Sequence, residues 1–535
     1  MKNWQTAAKI LLLSVSLGSF SFFAFHKIND QGLLYHDAGV YLLETKFLDE
    51  GFHLMKSFHR GEGGHQFWED IKTKTEGVPL HSGKPGLNLI FWLASLIGGL
   101  DDSISAKVTA ISGILGLLLT FLVSRKLNRW DSAIYSTTFL STSIFYLVYS
   151  RSGLAEQVVT VFFLSGILFY LSARERFSAV KLFLAGFCLG YASTCNPWRV
   201  LYMPALLIAL DFLGTLLEKQ KISHFIKHTL WIAGGFVIPP IAFELPYVVL
   251  KIVFKTLPFP DYWSHLAEKL GWITAKDGGF LWFQHMERLA KVYGAAEGPF
   301  WGTLVILAWI FLFIRFVMKR NFNDLFLWAF SFIPFFYFSL SVPAGQTIPR
   351  LVSNVIPFAA IGAGELFFFV EKKTKTPWIG LCLSFVLLIY QWPQQWNIAK
   401  VRSGYREASR YLASTGEKKL MIFGMEPVWR FHLGRRADAP YERPKSMEEM
   451  IQKANEEKIR YLVVDYSVLH SNYGADFTSK LMGKVKPVAT FENPLGGAWI
   501  QIADQFGWEK HQEIVQDPWS QMIYIFDIQE IKRSL

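Results

Sequence analysis

Long apolar stretches separated by short basic loops fill residues 7–391 of this chain, and they leave it little choice of fold. A run of about 20 apolar residues hides its backbone polar groups from lipid only as a helix, so repeated runs predict a bundle of membrane-spanning helices. The composition agrees, with 51% hydrophobic and 18% charged residues over 535 positions. Spans are expected at 7–25, 103–124, 132–150, 153–173, 179–195, 198–217, 228–250, 299–316, 325–341, 350–370 and 376–391. The first is read as an uncleaved span, since no small-x-small cleavage site precedes His26. The run Leu87–Leu100 is short for a crossing and suits an interfacial helix. The cysteines Cys188, Cys195 and Cys382 all fall in apolar segments and imply no disulfide framework.

Charge sets the orientation. With 87–100 in the interface, segments 1–9, 125–131, 174–181, 218–228, 315–324 and 371–375 share one side and carry 17 Lys and Arg against five acids. A full crossing at 87–100 would turn all but the first of these outward, against the positive-inside rule. Loops 26–102, 251–298 and 342–349 and the polar tail are then extracytoplasmic, periplasmic in a bacterium, with the N-terminus cytoplasmic. The formal charge of +11 is an orientation signal and gives no reason to expect nucleic acid as a partner.

From about residue 395 the chain turns polar. Helices are expected at Tyr405–Ser414 and Ser446–Lys458, and strands at Leu420–Gly424, Tyr461–Asp465, Pro487–Glu492 and Met522–Asp527. Alternation of this kind suits a small α/β layer. The predicted division is a membrane domain over 1–394, with outer loops 26–102 and 251–298, and a soluble domain over 395–535. There is no internal repeat of the sort that transporters built on inverted repeats often show.

Ionisable residues beside lipid are costly unless they pair or serve a site. Here they gather at the outer ends of spans: Asp37 with Tyr41, Lys84, Arg151 with Glu156, Asn196 with Arg199, and Arg350. Lys and Arg at such places can snorkel to the headgroups, but a carboxylate has too short a stem, which singles out Asp37. Glu244 follows the kinking pair Pro239-Pro240 and either points into the same site or pairs structurally. Asp211 and Glu365 fall toward inner span ends and are expected to pair with helix-end cations. Gly-Pro-Phe-Trp at 298–301 and the aromatic-rich loop 258–282 read as an interfacial belt. Gly61, Gly63 and Gly64 make the first outer loop a candidate lid.

These residues occur in an order that resembles the GT-C polyprenyl-phosphate-sugar glycosyltransferases, among them protein O-mannosyltransferases and the aminoarabinose transferases of lipid A. The Asp-Glu-x-x-Tyr stretch that opens their first outer loop resembles Asp37-Ala38-Gly39-Val40-Tyr41, followed by a helix over Leu42–Gly51. Their Lys-Pro-Pro before an aromatic interfacial segment resembles Lys84-Pro85-Gly86 with Phe91 and Trp92. Their Ser-Arg with an acid five residues on resembles Ser150-Arg151 and Glu156, and their late Arg and Pro resemble Arg350 and Pro357. Ala38 departs from the second acid, and Gly86 from the second Pro.

The resemblance implies a polytopic α-helical membrane protein of GT-C type with a C-terminal soluble α/β domain. It also implies transfer of a sugar from a polyprenyl-phosphate donor to an envelope lipid, polysaccharide or protein acceptor, with inversion at the anomeric carbon. Such a transfer needs a general base, assigned to Asp37, with Glu156 as a second catalytic residue that positions the acceptor, orients Arg151 or holds a divalent metal. It needs cations for the leaving phosphate, assigned to Lys84, Arg350 and Arg151, with Tyr41 and Glu244 positioning substrate. His36, His53, His59, His65 and His81 are dense in the first outer loop but match no tight ligand spacing. No metal is expected to be required, although a divalent ion is compatible with the site. The alternatives are a lipid or glycan transporter, which would carry charge at mid-depth, and a non-catalytic scaffold.

Overall fold

A computed structural model describes residues 2–59, 83–200, 202–254, 282–341, 349–376, 378–434, 446–465, 481–482, 484–494 and 508–534. The expected lid glycines, His65, His81 and most of the aromatic loop 258–282 lie outside the described residues. Every stretch read as a span is helical, whole or in pieces. The helices are α1 (Lys2–Phe25), α2 (His36–His59), α3 (Pro85–Gly98), α4 (Ile104–Leu127), α5 (Trp130–Ser141), α6 (Ile144–Arg151) and α7 (Glu156–Glu175). They continue as α8 (Ala179–Cys195), α9 (Tyr202–Leu217), α10 (Ile222–Phe254), α11 (Trp282–Lys319), α12 (Phe322–Ser341), α13 (Ile356–Thr374) and α14 (Ile379–Ala399). Among the described residues, six helices are long and apolar enough to cross a membrane, and three shorter apolar ones include α3.

Close packing in this bundle rests on small residues, as lipid gives apolar side chains no reason to prefer each other. A Cβ at Gly186 or Gly190 of α8 would run into the backbone carbonyls of Ile232 or Phe236, and one at Gly235 of α10 into that of Phe183. The two helices therefore touch backbone to backbone. Charges close one end of the bundle. Lys9 bridges Asp131 and Glu371, each at 2.8 Å. Arg174 meets Asp211 at 3.0 Å, and Arg315 meets Glu365 at 2.6 Å. Asp211 and Glu365 thus pair with helix-end cations, as read from their positions.

One span read from sequence and the long helix α11 are broken. The stretch 132–150 divides at Thr142-Ser143 into α5 and α6. Gly298, with φ 79°, and Pro299 interrupt α11. The breaks face each other: Glu297 accepts from the Ser143 hydroxyl at 2.6 Å and from the N–H groups of Ile144 and Phe145 at 2.8 and 3.0 Å. That satisfies the donors exposed at the start of α6. It also corrects the reading of 298–301 as an interfacial belt. Trp301 is 4% exposed and stacks on Phe139, so the segment is a packed kink.

The tail contains α15 (Tyr405–Ser414), β1 (Met421–Phe423), α16 (Glu426–Leu433), α17 (Met447–Glu456), β2 (Tyr461–Val464), β3 (Ala489–Glu492), α18 (Trp508–Gln516), β4 (Met522–Asp527) and α19 (Ile528–Ser534). The sheet order is β1-β2-β4-β3, with β1 and β2 parallel and the other pairs antiparallel. Buried Asp465 holds its edge together, accepting from the Tyr405 hydroxyl and the Met425 N–H at 2.9 Å and from the Trp429 indole at 3.2 Å.

Candidate active site

Helix α2 starts earlier than its apolar pattern suggests, so Asp37 lies in its first turn, where the helix dipole favours an anion. Positions 37, 41 and 44 then share one face. A 3-10 turn over Pro349–Val355 precedes α13 and carries Arg350, whose Nη1 donates to Asp37 Oδ2 at 2.6 Å. Lys84 immediately precedes α3, with Pro85 at its first position. The Lys84 ammonium donates to the Tyr41 hydroxyl and lies 4.4 Å from the centre of that ring. One turn on, the Asn88 amide donates to buried Glu44. Asp37, Tyr41, Lys84 and Arg350 thus come from three separated segments and form one polar cluster.

Burial alone would raise the Asp37 carboxyl. Arg350, the His36 hydrogen bond and Lys84 overcome this and hold it well below the ordinary value of 3.8. Asp37 is therefore an anion at neutral pH, matched by two cations. Both departures from the resembling pattern have a local cause, desolvation at one and crowding at the other. Ala38 is completely buried against the core, where a second acid would lose its hydration. A Cβ at Gly86 would collide with the Thr194 hydroxyl and sit 3.2 Å from Cys195 Sγ.

The other sequence-selected residues are distributed around this cluster. Glu156 is 3% exposed at the start of α7. One turn later the Thr160 hydroxyl donates to Asn354 of the Arg350 turn at 2.9 Å, so the Glu156 end of α7 borders that turn. Half-buried Glu244 follows Phe243, which packs edge-on against Tyr191 with ring centres 6.0 Å apart. The Tyr191 hydroxyl in turn donates to the Gly86 carbonyl at 3.1 Å. Arg151 lies apart from the cluster. Its guanidinium donates to the carbonyls of Phe23, Ala24, His26 and Ala399 at 2.7 to 3.1 Å, tying the end of α1 to the end of α14.

Sequence reading missed the way the tail reaches the site. Helix α16 packs on α2 at Gly39, where a Cβ would lie 2.8 Å from Val428 N and 2.9 Å from the Pro427 carbonyl carbon. Nearby, the Ser403 N–H donates to the Gln31 carbonyl at 2.7 Å. Asp102, which is 4% exposed, accepts from Arg406 Nε at 2.9 Å and faces His432 at 3.5 Å. The expected helix began at Leu42, after Gly39, so the sequence carried no signal for this approach. No group of three His, Cys, Asp or Glu side chains suited to a metal occurs among the described residues.

No protein-family pattern matches the sequence, nor does any curated protein. Solved structures do match. The ArnT of Cupriavidus metallidurans bound to undecaprenyl phosphate aligns with a TM-score of 0.56 at 12% identity, over 90% of this chain and 96% of that one. The archaeal oligosaccharyltransferase AglB of Archaeoglobus fulgidus, in complex with an inhibitory peptide and a dolichol-phosphate, aligns at 0.54 and 10% identity, over 92% and 74%. The Archaeoglobus fulgidus oligosaccharyltransferase complex with Zn and sulfate aligns at 0.54 and 11% identity, over 88% and 70%. These structural matches give the chain the GT-C fold.

Proposed function

We propose that the protein is a membrane glycosyltransferase that moves a sugar from a polyprenyl-phosphate donor to a lipid, glycan or protein acceptor on the outer face of the inner membrane. The observation that carries this reading is the meeting of Asp37, Tyr41, Lys84 and Arg350 at one end of the bundle. Asp37 takes the proton of an acceptor hydroxyl or amine as the acceptor atom bonds to the anomeric carbon. The bond from that carbon to the phosphate oxygen breaks, and the polyprenyl phosphate leaves with the electron pair. A single displacement inverts the anomeric carbon. Lys84 and Arg350 stabilise the charge that gathers on the leaving phosphate. Glu156 borders the Arg350 turn and orients that region or the acceptor, while Tyr41 and Glu244 position substrate. Because the Arg151 guanidinium is engaged by backbone carbonyls, we give it a structural role in the reaction scheme.

The resting ion pair explains how a weak base becomes useful. A carboxylate held low by Arg350 is a poor proton acceptor, but an arriving phosphate competes for Arg350 and Lys84. As their field turns to the phosphate, the Asp37 pKa rises toward the range of an effective base. Lys84 and Arg350 supply the positive charge that a divalent ion would, so the scheme requires no metal. Activity that persists after chelation checks this.

Mass spectrometry of envelope lipids and glycans tests the main reading, in cells carrying Asp37→Asn at wild-type protein level beside a deletion strain. Loss of the same sugar increment in both is expected. A profile changed by deletion and untouched by Asp37→Asn refutes the assignment of the base.

A further inference from the structure

A second polar site lies at the other end of the bundle. A cavity of about 510 Å³ opens between the last turns of α4, α11 and α13. Its wall carries Arg129, Arg315, Lys319, Lys372, Lys373 and Lys375, against the single acid Glu365. Arg315 already answers Glu365 and Asp324, so the acid is neutralised inside the wall. Among the described residues no carboxylate pairs with Arg129 or with the four lysines. Helix α13 has 19 residues, about 28 Å of rise, so this cavity and the Arg350 turn belong to opposite faces of a bilayer.

We propose that this cavity binds the phosphate-bearing headgroup of an anionic membrane lipid. Three observations point to a lipid. The cations line one concave, half-open volume, whereas charges that serve orientation alone need share no common cavity. Six cations stand against one acid on the wall, and that acid is already paired, so the wall keeps an excess of positive charge. The wall is also partly apolar: Arg129 lies 5.9 Å from the Phe368 ring centre, and Phe369 is 40% exposed. Beyond it, Ile314, Val317 and Met318 of α11 turn outward with exposures of 51, 57 and 77%. A phosphate held by the lysines would leave its acyl chains against that apolar surface, an arrangement that basic pockets between membrane helices offer to acidic lipids. A soluble phosphate would use the cations and leave the apolar part idle.

Native mass spectrometry of the full chain in detergent, titrated with dioleoylphosphatidylglycerol, tests this. The combined variant Lys319→Gln, Lys372→Gln and Lys373→Gln removes exposed side chains only. It should weaken binding about tenfold or more, given the contribution of each lysine near an acidic lipid. The control Lys219→Gln, Lys221→Gln and Lys227→Gln takes the same charge from another loop on that side and should bind as the parent does. Dioleoylphosphatidylcholine should bind weakly, and millimolar inorganic phosphate should not displace the acidic lipid. Equal binding by the two triple variants, or by the two lipids, overturns the proposal. Displacement by inorganic phosphate overturns the lipid assignment in favour of a soluble ligand. No residue of the Asp37 cluster is involved, so the outcome is independent of the proposed transferase reaction.

Discussion

Asp37 and Arg350 set the pH behaviour of the outer cluster. The Asp37 pKa is depressed, so the ion pair contributes above 3.8 and is lost as pH falls through the lower folded-state value. Arg350→Gln removes the strongest of the groups that lower it. In the proposed reaction the acid limb of kcat/KM should then move upward in pH, and the plateau should fall about 10²- to 10³-fold if Arg350 stabilises the leaving phosphate. An acid limb that stays in place would show that Arg350 does not govern the base. Gly39 makes a different prediction, because its missing side chain is what lets α16 approach. Gly39→Ala puts a carbon 2.8 Å from backbone that cannot swing aside, and should cost about 1–3 kcal/mol of stability. Thermal unfolding in detergent measures this.

The broken helices form the next scale. The start of α6 is capped by a carboxylate 152 residues away from Phe145, on α11. Glu297→Ala leaves the N–H groups of Ile144 and Phe145 without their acceptor in a buried place. A loss of about 2–3 kcal/mol is expected, read as a lower thermal midpoint, and Glu297→Gln should lose less. The contact between tail and membrane helices is also an element-scale matter. Burial holds the His432 pKa below its ordinary 6.5 despite the neighbouring Asp102. A depressed His favours the docked tail above that value, and protonation opposes docking as pH falls below 6.5. Proteolysis of the tail should therefore quicken below pH 6.5, and His432→Gln should flatten that dependence.

The whole molecule gathers polar residues at the two ends of one bundle, and the tail packs against the helix that carries Asp37. Much of this was legible in the chain. The apolar runs demanded helices, because nothing else satisfies a backbone in lipid. The strands of the tail lie where alternation placed them. Asp37, Lys84 and Arg350 stood out because charge at a membrane boundary needs a reason. Their meeting did not follow from sequence, since 313 residues separate Asp37 from Arg350 and no local rule links them. Arg151 looked equivalent to the other cations until its carbonyl partners were seen. Periodicity and charge are properties of a single segment, so the sequence determined the helices, the tail strands and the candidates at each boundary. Which candidates touch, which helices break and where the tail docks depend on contacts between distant segments, and only the tertiary structure decided those.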